Sequence, residues 1–280
     1  MMKKGICKLC LKEKMLIEQS HIIPTFMLKG IVFNAKKGTM MRLSSSPKKY
    51  PRQRGLYKTE VQTGAFEKHI LCEDCDNRRL GSNLEGYMNR EFFSVVDRMI
   101  PVPGKIQWEG SYGIPFIELA GLENDRLIRF FLSLLWRVSI CNQDGWGSMR
   151  LHSEWNEEIR RCLMNESTDA LQAWVIVVIR KKPDSNATSD FLLPIGQTDG
   201  YQLIAGTYMI RFLRRDSEAA ELLHALALAL AISMSGPVRT CIATHAMWDG
   251  MVKKVMKEIA RVSVQNMGYD EWKSYVEKLP

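Results

Sequence analysis

The chain reads as an α+β protein: a zinc-stapled N-terminal module over residues 1–100, then a mainly helical α+β domain over 101–280. Three observations lead there. Two Cys-x-x-Cys pairs, Cys7/Cys10 and Cys72/Cys75, bracket the first hundred residues; a Pro101-Val-Pro-Gly104 run then breaks the pattern; beyond it, stretches of helical periodicity alternate with β-branched runs.

The composition is that of an ordinary globular protein of 280 residues, 46% hydrophobic and 25% charged. The most apolar stretch, Leu222 to Met234, is too short for a bilayer and carries His224 and Ser233, so it reads as a buried helix. Residues 1–7 show no apolar leader region, and a reducing cytoplasm is expected. In that compartment thiols persist as metal ligands or small buried apolar groups. Cys141, Cys162 and Cys241, which lack partner spacing, take the second role.

Zinc favours four tetrahedral ligands, and each Cys-x-x-Cys turn offers two thiolates from one tight loop. Cys7, Cys10, Cys72 and Cys75 therefore form a structural zinc site, with 61 residues between the pairs. Four thiolates leave no open position for water, so this metal holds the fold and performs no chemistry. Between the pairs, residues 34–64 read as a long basic loop containing Lys36, Lys37, Lys48, Lys49, Arg52 and Arg54. Residues 1–60 carry a net charge of +11 while the rest of the chain sums to −3, an asymmetry expected of a surface that meets phosphate backbones. A solvated basic loop is the alternative. After Cys75, Leu80, Leu84, Met88 and Phe92 recur at helical spacing over Asp76–Val96.

In the second half, Leu127 to Val138 forms a strongly apolar helix with Asn124 or Asp125 as its cap, and Glu154–Met164 a second. Trp174–Ile179 is a buried strand, Tyr201–Phe212 another, and Ser217–Ser235 a helix stopped by Gly236-Pro237. Helices are also expected over Asp249–Val264 and Tyr269–Lys278. No Gly-rich phosphate loop, nucleophile elbow or dinucleotide fingerprint occurs, so this half suggests target recognition, homodimerisation or docking to a protein partner.

Cys7-x-x-Cys10, Ser20-His21-Ile-Ile-Pro24 and Ile70-Leu-Cys72-x-x-Cys75-Asp76 together resemble the HNH (His-Me finger, ββα-metal) endonucleases with a treble-clef zinc scaffold, over residues 5 to about 90. The resemblance is nearest to a divergent bacterial group that reads Ser-His-Ile-Ile-Pro-x-Phe and later Leu-Cys-x-x-Cys-Asp-x-x-Leu-Gly; here Pro24-Thr-Phe26 fits that form, and Leu80-Gly81 follows Asp76 with three residues between instead of two. It implies a treble-clef ββα-metal fold and a metal-dependent endonuclease acting on nucleic acid, DNA being favoured. His21 stands at the place of the general base, for which imidazole is suited. Asp76 stands where the family has a histidine ligand of the catalytic ion, here Mg²⁺ or Mn²⁺. Arg78 and Arg79 stand at the place of a phosphate-contacting basic residue. The chain departs from the family at Ser20, where an Asp is usual. It also departs near Glu67, which takes the place of the Asn that orients the base, with His69 as a further polar group. The competing interpretations are a hydrogen-bonded strand histidine for His21, a helix cap for Asp76, and a zinc-dependent nucleic-acid-binding protein, or an adaptor, in place of an enzyme.

Overall fold

The computed structural model describes residues 3–28, 32–34, 39–44, 57–61, 66–97, 105–108, 111–142, 149–181, 191–197, 200–216, 232, 238–243 and 248–251. Strands β1 (Lys3–Ile6) and β2 (Glu13–Leu16) pair antiparallel from Lys3↔Leu16 to Ile6↔Glu13, and the first cysteine pair lies in the loop joining them. Lys4 and Glu13 share their outer face with the exposed apolar Ile6 and Met15, while Leu16 turns inward and pairs across an isolated bridge with Cys72. That bridge brings the second cysteine pair to the first. β3 (Ser20–His21) pairs antiparallel with β7 (Phe66–Glu67), and a 3₁₀ turn follows β3 at Thr25–Leu28.

Four helical segments, Asp74–Glu85, Gly86–Met88, Asn89–Phe93 and Ser94–Val96, run on as one helix, α1. Leu80, Leu84, Met88, Phe92 and Val96 are all buried, a stripe at every fourth residue. The first and third segments are wound more widely than an α-helix. Gly86 N–H reaches the Gly81 carbonyl and Ser94 N–H the Asn89 carbonyl, five residues back.

Strand β4 (Val32–Asn34) ends where the expected long basic loop of residues 34–64 begins, and β5 (Thr39–Ser44) and β6 (Tyr57–Val61) lie within it, which corrects that expectation. β5 pairs with β6 from Met40↔Val61 to Ser44↔Tyr57, and β4 pairs with β5. Interleaved Lys and Arg conceal the Met-Met-Arg-Leu and Tyr-Lys-Thr-Glu-Val runs, whose register depends on each other rather than on local pattern. The basic residues Lys36, Lys37, Lys48, Lys49, Arg52 and Arg54 lie outside the described residues.

These strands join the large mixed sheet. With β8 (Lys105–Trp108), β9 (Ser111–Leu119), β10 (Trp174–Lys181), β11 (Phe191–Gln197), β12 (Gly200–Gly206), β13 (Tyr208–Arg214) and β14 (Val238–Ala243), its order is β4-β5-β11-β12-β13-β10-β14-β9-β8, with β6 also on β5. β10 lies inside it, antiparallel to β13 and parallel to β14, which explains its unbroken apolar run. The single strand expected over Tyr201–Phe212 is instead the β12–β13 hairpin. Gly206, at φ 62°, and Thr207 form its two-residue turn, a conformation suited to glycine. β9 and β11 carry Pro115 and Pro194, which hide them from a strand reading.

Three further helices are α2 (Asn124–Ile140), α3 (Ser153–Leu163) and α4 (Asp169–Ala173). Glu123, not Asn124 or Asp125, holds the cap position of α2 in an extended conformation. Every residue of α2 from Phe130 to Ile140 is buried, as expected for a helix enclosed on all sides. Phe26, Phe93, Phe130 and Tyr208 pack ring to ring, with Phe93 at 5.2, 5.9 and 4.8 Å from the other three. One continuous core thus extends from Cys7 to Ile242, and a boundary at Pro101 marks no break in it. The class is α+β. The helices expected over Ser217–Ser235, Asp249–Val264 and Tyr269–Lys278 lie almost wholly outside the described residues.

Candidate metal centre and its neighbours

The ligand atoms of Cys7, Cys10, Cys72 and Cys75 all lie within 4.8 Å of one another, and three of the four side chains are buried. Backbone bonds create this convergence. Cys7 N–H donates to Lys12 O at 3.0 Å and Leu11 N–H to Cys7 O at 2.9 Å, closing the first turn, with Leu11 at φ 58°. Lys8 N–H donates to Ile70 O and Ile17 N–H to Leu71 O, both at 2.9 Å, so residues 70–72 are stitched against the knuckle. Cys72 N–H points at Cys7 Sγ, 3.4 Å away, and Cys75 opens α1.

Such a thiol quartet could hold a metal ion such as zinc. The Cys75 thiol donates to Cys7 and pushes its pKa down to about 4, whereas that same hydrogen bond, then burial and the negative charge on Cys7, drives Cys75 upward. A bound cation removes this conflict by letting all four ionise. Among the described residues no other group of three or more His, Cys, Asp or Glu side chains converges in this way.

A second cluster lies one turn into α1. Asp76 is part-buried, and its carboxyl pKa is raised to about 6, chiefly by desolvation; the Arg137 guanidinium opposes the rise, Glu85 adds to it, and the Ser20 hydroxyl opposes it. Ser20 is fully buried, while His21, the next residue on β3, is exposed. Arg137, from the middle of α2 and 1% exposed, donates through Nη1 to Glu85 Oε1 at 2.6 Å and to the His21 carbonyl at 2.8 Å. Its remaining groups reach the Ser133 carbonyl and hydroxyl, each at 3.3 Å. Thus Arg137 ties α2 to both β3 and α1. Arg137 and Glu85 are functional candidates that sequence reading missed, since they meet only through tertiary packing.

Glu67 does not serve the role expected of it. It pairs across the strands with Ser20, so its side chain leaves the face opposite to that of His21. Its Oε2 instead accepts Asn142 N–H at 2.8 Å and Cys141 Sγ at 3.3 Å, tying down the end of α2. His69 adopts φ 56° and donates its backbone N–H to Ile17 O. Arg78 and Arg79 both line a cleft on another face of α1.

For a divalent ion beside Asp76, the donors are oxygens of the right type: the Asp76 carboxylate, ionised above about pH 6, and the Ser20 hydroxyl. Mg²⁺ commonly takes only one or two protein carboxylates and fills its shell with water and substrate phosphate. Glu85, the other nearby carboxylate, is committed to Arg137. No helix among the described residues is long and apolar enough to cross a membrane. Compared with protein-family models, curated proteins and solved structures, the chain matches none.

Proposed function

We propose that the chain is a zinc-stapled nucleic-acid endonuclease of the HNH type, with a treble-clef scaffold, hydrolysing phosphodiester bonds with DNA as the favoured substrate. The observation that carries this reading is the juxtaposition of β3, β7 and the start of α1 around the cysteine quartet. It leaves an exposed His21 and a part-buried Asp76 on the two neighbours of Ser20 in space and sequence. Zinc on the four thiolates has a structural role. In the reaction, the His21 imidazole takes a proton from water as its oxygen bonds to phosphorus; the P–O bond to the leaving group breaks, and that oxygen is protonated from solvent. Arg137 holds the His21 backbone in place and, with Ser20, favours the ionised form of Asp76. Asp76 would hold Mg²⁺ or Mn²⁺, which when bound stabilises charge on the phosphate. With supercoiled plasmid, single-stranded DNA and RNA as substrates and either ion present, wild-type protein cleaves at least one of them. His21→Ala abolishes cleavage while zinc content and melting profile stay unchanged; equal cutting by the variant refutes the assignment.

The buried Arg137–Glu85 pair favours a second reading, a nucleic-acid-binding protein without catalysis, because a guanidinium already meets the carboxylate charge at this site. Salt-dependent binding without cleavage in any divalent ion would select it.

A further inference from the structure

Between the first cysteine turn, the outer face of α1 and the end of α3 lies a cleft of about 540 Å³, within the roughly 300–1,000 Å³ usual for ligand sites. Lys12, Lys14, Arg78 and Arg79 line it, with Asp74 the one acid and Cys10 and Cys75 at its wall. Lys14 is held by Asp74 at 2.8 Å, and Arg79 is half-buried, donating to the Leu163 carbonyl at 3.4 Å. Lys12 and Arg78 are exposed, and Arg78 stands 3.7 Å from Asp74 with 85% of its side chain in water. A zinc-loaded quartet of thiolates carries two negative charges, and the four cations still outnumber these and Asp74 by one. Asp74, Arg78 and Arg79 face the cleft, whereas Asp76 and Glu85 turn toward Ser20 and Arg137. The cleft and the His21–Asp76 cluster are thus separate sites on one helix.

We propose that this cleft is a second phosphate seat, holding the phosphodiester backbone of nucleic acid between Lys12 and Arg78 away from the His21–Asp76 site. The cysteine turn fixes the spacing: Lys12 accepts Cys7 N–H through its own carbonyl, and Arg78 sits one turn beyond Cys75. The inference rests on the nucleic-acid reading above.

It is tested with zinc-loaded full-length protein and fluorescein-labelled 20-mer oligonucleotides, single- and double-stranded, by anisotropy across a salt series. Lys12→Gln/Arg78→Gln should weaken binding at least tenfold at low salt. It should also flatten the slope of log affinity against log salt by about 1.4 for single strands or about 1.8 for duplex, the loss of two phosphate contacts. The charge reversal Lys12→Glu/Arg78→Glu should weaken it further, and zinc stoichiometry should remain that of wild type. Lys68→Gln/Arg90→Gln, exposed cations away from the cleft, serve as the control. Wild-type binding that the cleft variants retain in full overturns the seat alone. So does unchanged binding accompanied by loss of zinc, which would make the cations mere compensation for the metal centre. A wild-type protein that binds neither oligonucleotide overturns both the seat and the nucleic-acid reading.

Discussion

Arg137→Met removes a cation that is 1% exposed and keeps most of its volume, so the change is electrostatic more than steric. The variant leaves Glu85, 20% exposed, without its partner at 2.6 Å, and strips the His21 carbonyl of a donor at 2.8 Å. Removing one member of a buried ion pair costs about 3–5 kcal/mol, and an orphaned buried acceptor about 1–3 kcal/mol. The two terms share one guanidinium and do not add, so a total of about 4 kcal/mol is expected. Against a typical stability of about 5–15 kcal/mol that is a large fraction. With a urea m-value of about 3 kcal/mol/M, the midpoint falls by roughly 1–2 M, read by circular dichroism on zinc-loaded protein. Arg137→Met/Glu85→Gln should recover part of the loss, because the charge on Glu85 is then no longer left unpaired. Arg137→Lys should fall between wild type and Met, since an ammonium cannot serve Glu85, His21 and Ser133 in the same plane. A midpoint for Arg137→Met within about 0.3 M of wild type, or a double variant no more stable than the single, refutes this account of the pair.

Three further outcomes are expected. Cys72→Ser lowers bound zinc below one per chain by atomic absorption and opens residues 3–28 to protease. Undiminished zinc with an unaltered digest contradicts a four-thiolate site. Phe93→Ala, at a position 2% exposed and in contact with Phe26, Phe130 and Tyr208, costs about 3–5 kcal/mol. Calorimetry should show the whole described core destabilised together, and an unchanged melting temperature sinks that view. The Asp76 carboxyl, raised to about 6 when folded, binds its proton more tightly than in the unfolded chain, so its contribution is present at low pH and declines as pH rises toward and past 6. The full decline is about 3 kcal/mol, spread between the ordinary Asp pKa of about 4 and the folded value of about 6, and Asp76→Asn should remove it, gaining on wild type as pH rises from about 4 to about 6.5 and little above that; a pH-independent difference between the two argues against the buried carboxyl.

Much of the site and fold was legible where the signal is local. The cysteine pairs announced themselves by spacing, and α1, α2, α3 and β10 by apolar periodicity, because burying one face of a helix or both faces of a strand constrains neighbouring residues directly. The sheet was legible only in part. β5 and β6 are charged, β9 and β11 contain proline, and the β12–β13 turn depends on a single Gly206-Thr207 step inside an apolar run. Glu67 was misjudged because nearness in sequence to a motif position says nothing about which face of a two-residue strand a side chain leaves.

By itself the sequence determined the two cysteine pairs, the main helices and the buried central strand, all consequences of spacing within one turn or one strand. The tertiary structure decided what surrounds His21. Arg137 meets the His21 carbonyl from 116 residues away, β5 joins β11 across most of the chain, and Asp76 owes its raised pKa to burial beneath α2. Long-range contacts of this kind follow from how separate elements share one core, and a buried guanidinium is placed by the carboxylate and carbonyl it must satisfy, neither of which is adjacent to it in the chain.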